Sequence, residues 1–199
     1  MKIYICSSNP GKLREILLAA SGTNFEIAPL PNLKSITSPE EKGSSFEENA
    51  SLKAIYYSRF TPEIVLADDS GLEVDALDGA PGVFSARYSG PDATDEDNNN
   101  TLLRNLGSTT ARSARFVCAI ALARAGEILI MARGSVEGEI LHASQGTNGF
   151  GYDPLFFYPP LGRSFAELTS DEKLLVSHRG KALRALFERT FITDVRRLQ

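Results

Sequence analysis

Ala67-Asp68-Asp69-Ser70-Gly71-Leu72 joins an apolar run to a polar one. Upstream, Ile64-Val65-Leu66-Ala67 has the length and composition of a buried strand. It meets two carboxylates, a hydroxyl and a glycine. In open α/β sheets ligands bind outside the carboxyl ends of the strands, so acids at that point read as reactive. Adjacent strand residues point to opposite faces, which gives Asp68 and Asp69 different tasks. Asp, Ser and Gly are also ordinary turn formers, and on this stretch alone a turn fits as well as a site.

The chain has 199 residues, 42% hydrophobic and 23% charged, with a net charge of -4. That length suits a single domain over residues 1–199. The acidic balance argues against a general nucleic-acid coat protein, so no direct nucleic-acid binding is expected. A binder of small anions must gather its cations locally. Cys6 and Cys118 each lie in an apolar run, without zinc-like spacing, and read as buried thiols. No apolar run approaches the ~20 residues of a membrane span, and the first residues form no signal-peptide core. A cytoplasmic location follows as the expectation.

Lys2 to Cys6 reads as a first strand. Ser7-Ser8-Asn9-Pro10-Gly11-Lys12 follows, then a helical pattern through Leu13, Ile16, Leu17 and Ala20. Asn9 suits the N-cap and Pro10 the first helical position. A strand, a small polar loop and a helix N-terminus together favour an anion. Lys12 opposes the helix dipole, which points to an anionic ligand; a capped helix with a solvated lysine is the plainer alternative. A Walker A loop is excluded, because its first glycine is missing and Leu13 stands where Ser or Thr is required.

Phe25 to Leu30 reads as a second strand, and Ser45 with Glu48 fits the start of a helix that carries Lys53. Glu40-Glu41 precedes it without evident purpose. Leu72 to Leu77 alternates like a half-exposed strand, and Thr94 to Leu106 reads as a helix with acids in its first turn. Arg115 to Ala123 and Ile128 to Met131 flank an Ala125-Gly126 turn, with Gly134 to Leu141 as a third strand. Gly149-Phe150-Gly151-Tyr152-Asp153-Pro154 is a glycine-dense aromatic loop. It fits either a stacking surface for a base or simple packing. After Leu168 one last helix is expected, capped by Thr169 or Ser170, carrying Lys173, His178 and Arg179 and then the stripe Ala182, Leu183, Leu186, Phe187.

Taken together, the chain resembles the inosine/xanthosine triphosphate pyrophosphatase family from about Lys2 to Phe187. The resemblance is carried by Ser7-x-Asn9-x-Gly11-Lys12, Gly43-x-Ser45-Phe46-x-Glu48-Asn49-Ala50-x-x-Lys53-Ala54 and Ala67-Asp68-Asp69-Ser70-Gly71-Leu72-x-Val74-Asp75-Ala76-Leu77. Further on come Gly79-Ala80-Pro81-Gly82-x-x-Ser85-Ala86-Arg87-Tyr88, Gly149 to Pro154, and Ser177-His178-Arg179-Gly180.

It implies an α/β fold with an elongated, mixed parallel and antiparallel sheet, flanked by helices around a central substrate cleft, and a homodimer. It implies Mg²⁺-dependent hydrolysis of ITP, dITP or XTP to the monophosphate and pyrophosphate. Ser7, Ser8, Asn9, Pro10, Gly11 and Lys12 would hold the triphosphate with Lys53. Asp69 would be general base and metal ligand, with Glu41 as a second metal carboxylate and Ser70 touching substrate. Phe150, Gly151, Tyr152, Asp153, Lys173, His178 and Arg179 would form the purine and phosphate pocket, with Asp68 and Asp75 in support. A pyrophosphatase for modified pyrimidine triphosphates and a nucleotide-binding regulator without catalysis are the two other readings.

Overall fold

The computed structural model describes residues 2–192, of which 190–192 by backbone alone; Met1 and residues 193–199 lie outside the described residues. Three strands open the fold. β1 (Lys2–Ile5) lies between β2 (Glu26–Pro29) and β3 (Ile64–Val74), parallel to both. Helix α1 (Pro10–Ala20) connects β1 to β2, and α2 (Phe46–Tyr57) lies between β2 and β3 in the chain. The order β2-β1-β3-β4-β5-β6-β7 makes one seven-stranded sheet. β4 (Ser113–Arg124) and β5 (Glu127–Ile140) meet at the expected turn, where Ala125 and Gly126 both take positive φ as a tight two-residue hairpin requires. β6 (Phe156–Tyr158) and β7 (Arg163–Ser164) close the far edge in antiparallel register.

Four expectations change. β3 does not stop before the acids: Asp68 and Asp69 lie within an 11-residue strand. Aspartate disfavours strands, and here each acid has its own charged partners, Lys12 and Arg179 for Asp68 and Lys53 for Asp69. The alternation from Leu72 ends at Val74, and Asp75–Leu77 forms a 3-10 turn. Gly134 to Leu141 continues β5 as one 14-residue strand rather than starting another. Its glycines admit close neighbours: a Cβ at Gly138 would meet Phe157 O at 2.5 Å and the Phe156 ring at 2.6 Å. The last helix is two helices. α4 (Ser170–Val176), capped by Thr169 in a full capping box with Glu172, ends at the extended, buried Ser177, and α5 (His178–Ile192) follows.

The chain divides into two compact units. Among the described residues the first comprises 2–69, 118–134 and 178–192; the second comprises 70–117 and 135–177. In the first, Ile3, Ile5 and Leu66 pack with Ile16 of α1, Ile120 and Leu122 of β4, and Leu183 and Leu186 of α5. In the second, Leu72, Val74 and Val136 pack with Leu102 of α3 (Asp95–Leu106) and with Phe116, Phe156 and Phe165. The Phe116 and Phe156 ring centroids are 4.5 Å apart. Cys6 and Cys118 are free and buried, and burial pushes both thiols up to about 12. Among the described residues no helix is long and apolar enough to cross a membrane.

Candidate active site

β1 is hydrogen-bonded to β3 up to Leu66, whose carbonyl accepts from Cys6 N–H at 2.8 Å. Asp68 and Asp69 therefore lie just past the carboxyl end of β1, where the strand order reverses, with β2 as one neighbour of β1 and β3 as the other. Open sheets place their ligand crevice at this kind of reversal. The loop Ser7-Ser8-Asn9 leaves β1 at the same end. Asn9 caps α1, its side chain accepting from Lys12 N–H at 3.0 Å, and Pro10 takes the first helical position. Ser7 Oγ accepts from Asn9 N–H at 3.3 Å. Ser8, Asn9 and Pro10 are exposed and Gly11 is buried.

On one side of the pleat, Asp68 meets cations from both ends of the chain. Its Oδ2 lies 3.1 Å from Lys12 Nζ and accepts from Arg179 Nε at 3.4 Å and Nη2 at 3.3 Å. Arg179 also pairs with Glu15, one turn after Lys12 on α1. Burial pushes the Asp68 carboxyl up, but Lys12, Arg179 and Lys53 outweigh it and hold the pKa well below the usual carboxylate range. Burial likewise lowers the Arg179 guanidinium, and Glu15 with Asp68 raises it further than burial lowers it.

On the other side, Asp69 Oδ1 accepts from Lys53 Nζ at 2.7 Å, and Glu41 Oε1 shares that ammonium at 3.1 Å. Asp69 Oδ2 accepts from Asn49 Nδ2 at 3.3 Å. Burial raises the Asp69 carboxyl, Glu41 adds to it, and Lys53 and Lys12 offset only part. Burial lowers Lys53, but Asp69, Asp68 and Glu41 more than restore it, so it keeps its proton at neutral pH. The surroundings of these two neighbouring carboxyls thus drive their pKa values in opposite directions.

The other carboxylates of this region are engaged elsewhere. Glu40 pairs with Lys42 on the surface at 2.9 Å. Glu48 accepts from Ser44 N–H at 2.7 Å, beside the Ser45 cap. Asp75, expected with Asp68 to support the Asp69 site, instead pairs with Arg115 at 3.0 Å. Glu41 and Asp69 are thus the carboxylates that converge on one cation. Two hard oxygen donors suit Mg²⁺, which is commonly held by one or two carboxylates together with substrate phosphates and water. Among the described residues no cluster of three or more His, Cys, Asp or Glu forms an all-protein cage.

The second unit holds the aromatic loop. Asp153 is 2% exposed; it accepts from Phe150 N–H at 2.8 Å and pairs with the buried Lys173. The Lys173 ammonium stands 4.8 Å from the Phe150 ring centroid. Gly151 N–H donates to Asp95 at 2.6 Å, and Gly151 O accepts from Asn99 at 2.9 Å. Tyr152 is buried in the core and its hydroxyl donates to Ser85 O at 2.9 Å, so Phe150, half-buried, is the aromatic with surface to offer.

Lys12, Lys53, Asp69, Glu41, His178 and Arg179 thus belong to the first unit, with Ser7 to Gly11. Ser70, Phe150, Gly151, Tyr152, Asp153 and Lys173 belong to the second. The break at Ser177 puts Lys173 with Asp153, and Arg179, expected to face the purine, with Asp68 and Glu15. His178 opens α5 and is buried. Glu15 and Asn49 were missed. Both had a signal in their spacing: Glu15 follows Lys12 by three residues and Asn49 precedes Lys53 by four, which puts each pair on one helical face.

The profile of the Ham1 family matches residues 3–189. A dITP/XTP pyrophosphatase of an Exiguobacterium species is 51% identical over 186 residues, covering 94% of this chain and 95% of the relative. The protein of that name from Thermus thermophilus is 47% identical over 190 residues, covering 94% and 91%. Among solved structures, the Ham1 protein of Staphylococcus aureus matches with a TM-score of 0.83 at 41% identity, over 94% of this chain and 96% of that one. The nucleoside-triphosphatase, or dITP/XTP pyrophosphatase, of Mycobacterium abscessus matches with a TM-score of 0.72 at 43% identity, over 94% and 97%.

Proposed function

We propose, from the premise that this chain belongs to the Ham1 family, that it hydrolyses nonstandard purine nucleoside triphosphates, dITP, ITP and XTP, to the monophosphate and pyrophosphate. The names of relatives about half identical over nearly their whole length support the activity. The observation that carries the mechanism is the divided pair: Asp68 lies 3.1 Å from Lys12 and 3.3 Å from Arg179, while Asp69 lies 2.7 Å from Lys53, whose ammonium Glu41 shares at 3.1 Å.

Asp69 takes a proton from the attacking water. The water oxygen bonds to the α-phosphorus, the bond to the α–β bridging oxygen breaks, and pyrophosphate leaves with that oxygen. Lys12, Lys53 and the N-terminus of α1 neutralise charge that grows on the phosphate oxygens. Asp69 and Glu41 would hold Mg²⁺, which supplies further positive charge toward the triphosphate. Asp68 keeps Lys12 in place. Asp153 offers an acceptor and Lys173 a donor for the 6-keto purine edge, while Phe150 offers a ring face. A site that hydrogen-bonds one edge rejects bases that leave its polar groups unpaired. The resemblance supports a cytoplasmic homodimer as the working form.

Asp69→Asn tests the base. Pyrophosphate release from dITP should fall by about 10²–10⁴-fold, with the fold retained by circular dichroism. A rate within a few fold of wild type would remove Asp69 from that role.

A further inference from the structure

Asn49 is buried, 1% exposed, and the reaction above gives it no task. It stands one turn before Lys53 on the same face of α2. Its amide faces two ways. Gly43 N–H donates to Oδ1 at 2.8 Å. A backbone N–H can only donate, so the amide oxygen is fixed on that side and the NH₂ group must face Asp69. There it donates to Oδ2 at 3.3 Å, while Oδ1 of the same carboxylate takes Lys53. Gly43 lies two residues after Glu41, whose carboxylate shares that lysine. One side chain therefore ties down both the loop that carries Glu41 and the carboxylate of Asp69.

The loop is built to reach it. A Cβ at Gly43 would lie 2.6 Å from Asn49 Oδ1 and 2.8 Å from Glu48 Cβ, so only bare backbone can approach. The helix end does not need this amide either: Ser45 already accepts from Glu48 N–H, and Glu48 takes Ser44.

We propose that Asn49 is a positioning residue for the reaction, setting the Asp69 and Glu41 carboxylates relative to each other and to the cations they share. The proposal rests on Asp69 being the base and goes beyond it, because it assigns the geometry of that base to a buried side chain that bonds Gly43 and Asp69.

Two variants separate this role from a structural one. Asn49→Asp keeps an acceptor for Gly43 N–H but turns the donor toward Asp69 into a second carboxylate. Asn49→Ala removes both bonds. Each is measured for kcat and KM on dITP with Mg²⁺ and for unfolding temperature, and Asn49→Ala also for Mn²⁺ affinity by calorimetry without substrate. Both should lose about 10–100-fold in kcat, and Asn49→Ala about 10-fold in Mn²⁺ affinity, as support groups behind a metal site do. KM should stay within about threefold, since substrate binding is not the function removed. Wild-type kcat in folded protein, or a loss confined to KM or unfolding temperature, would overturn the assignment. Asp69→Asn is run alongside. If it is inactive while the Asn49 variants turn over normally, only the Asn49 assignment falls; if it is active, the base itself has been misassigned.

Discussion

Asp68 and Asp69 are neighbours that the pleat sends to opposite sides, and the same burial has opposite outcomes for them. Asp68 is depressed because Lys12, Arg179 and Lys53 overcome its desolvation. Its ionised form adds stability at all pH values above the unfolded carboxylate value of about 3.9, and that stability is lost as pH falls below it. Asp69 is raised, because Lys53 and Lys12 do not overcome its desolvation. Its contribution is present only below the unfolded value and is lost as pH rises through the folded one, so its charge is a cost at pH 7. Asp68→Asn should therefore lower the unfolding temperature at pH 7 by on the order of 10 °C, from about 3–5 kcal/mol for breaking a buried ionic cluster. Asp69→Asn should leave it unchanged or raise it. Thermal unfolding of both variants in chelator checks this; equal losses would contradict the division. That division was legible in the sequence, because a strand alternates whatever it contains. The pairing of Asp68 with Arg179 was not, because 111 positions separate them and no local spacing joins them.

At the scale of elements, helices with capping signals were read within a residue or two of where they form. Asn9, Ser45, Thr94 and Thr169 each accept from a backbone N–H of the first turn. The break at Ser177 was not read, because helical spacing continues on both sides of it and only tertiary pairing separates Lys173 from Arg179. Strands β6 and β7 have three residues and two, too short to carry a period. The aromatic loop permits a paired prediction. Gly149 has φ +77°, and a Cβ there would overlap the Asp153 carboxylate; Gly151 has φ +63° with open space around it. Alanine at either position should cost about 1–2 kcal/mol for the left-handed backbone. Only Gly149→Ala should also displace Asp153 from Phe150 N–H and Lys173, raising KM for dITP by about tenfold, against little change for Gly151→Ala. Equal KM in both would separate Asp153 from substrate recognition.

Over the whole molecule, the sequence reading of a mixed α/β sheet holds, with parallel strands β1 to β3 and antiparallel pairing at β5 to β7. What it could not supply is how the chain is shared out. β3, β4 and β5 each contribute residues to both compact units, because long strands read as single elements wherever a unit begins. Lys12, Lys53, Asp69 and Glu41 fall in one unit, and Phe150 to Asp153 with Lys173 in the other. The proposed reaction and its preference for nonstandard purines are tested together. The direct test is pyrophosphate release across dITP, XTP, ITP, GTP and ATP, with and without Mg²⁺. The account predicts kcat/KM for dITP, ITP and XTP at least about 100-fold above ATP and GTP, and no release without the metal. Equal turnover of ATP, or full activity in chelator, would contradict it.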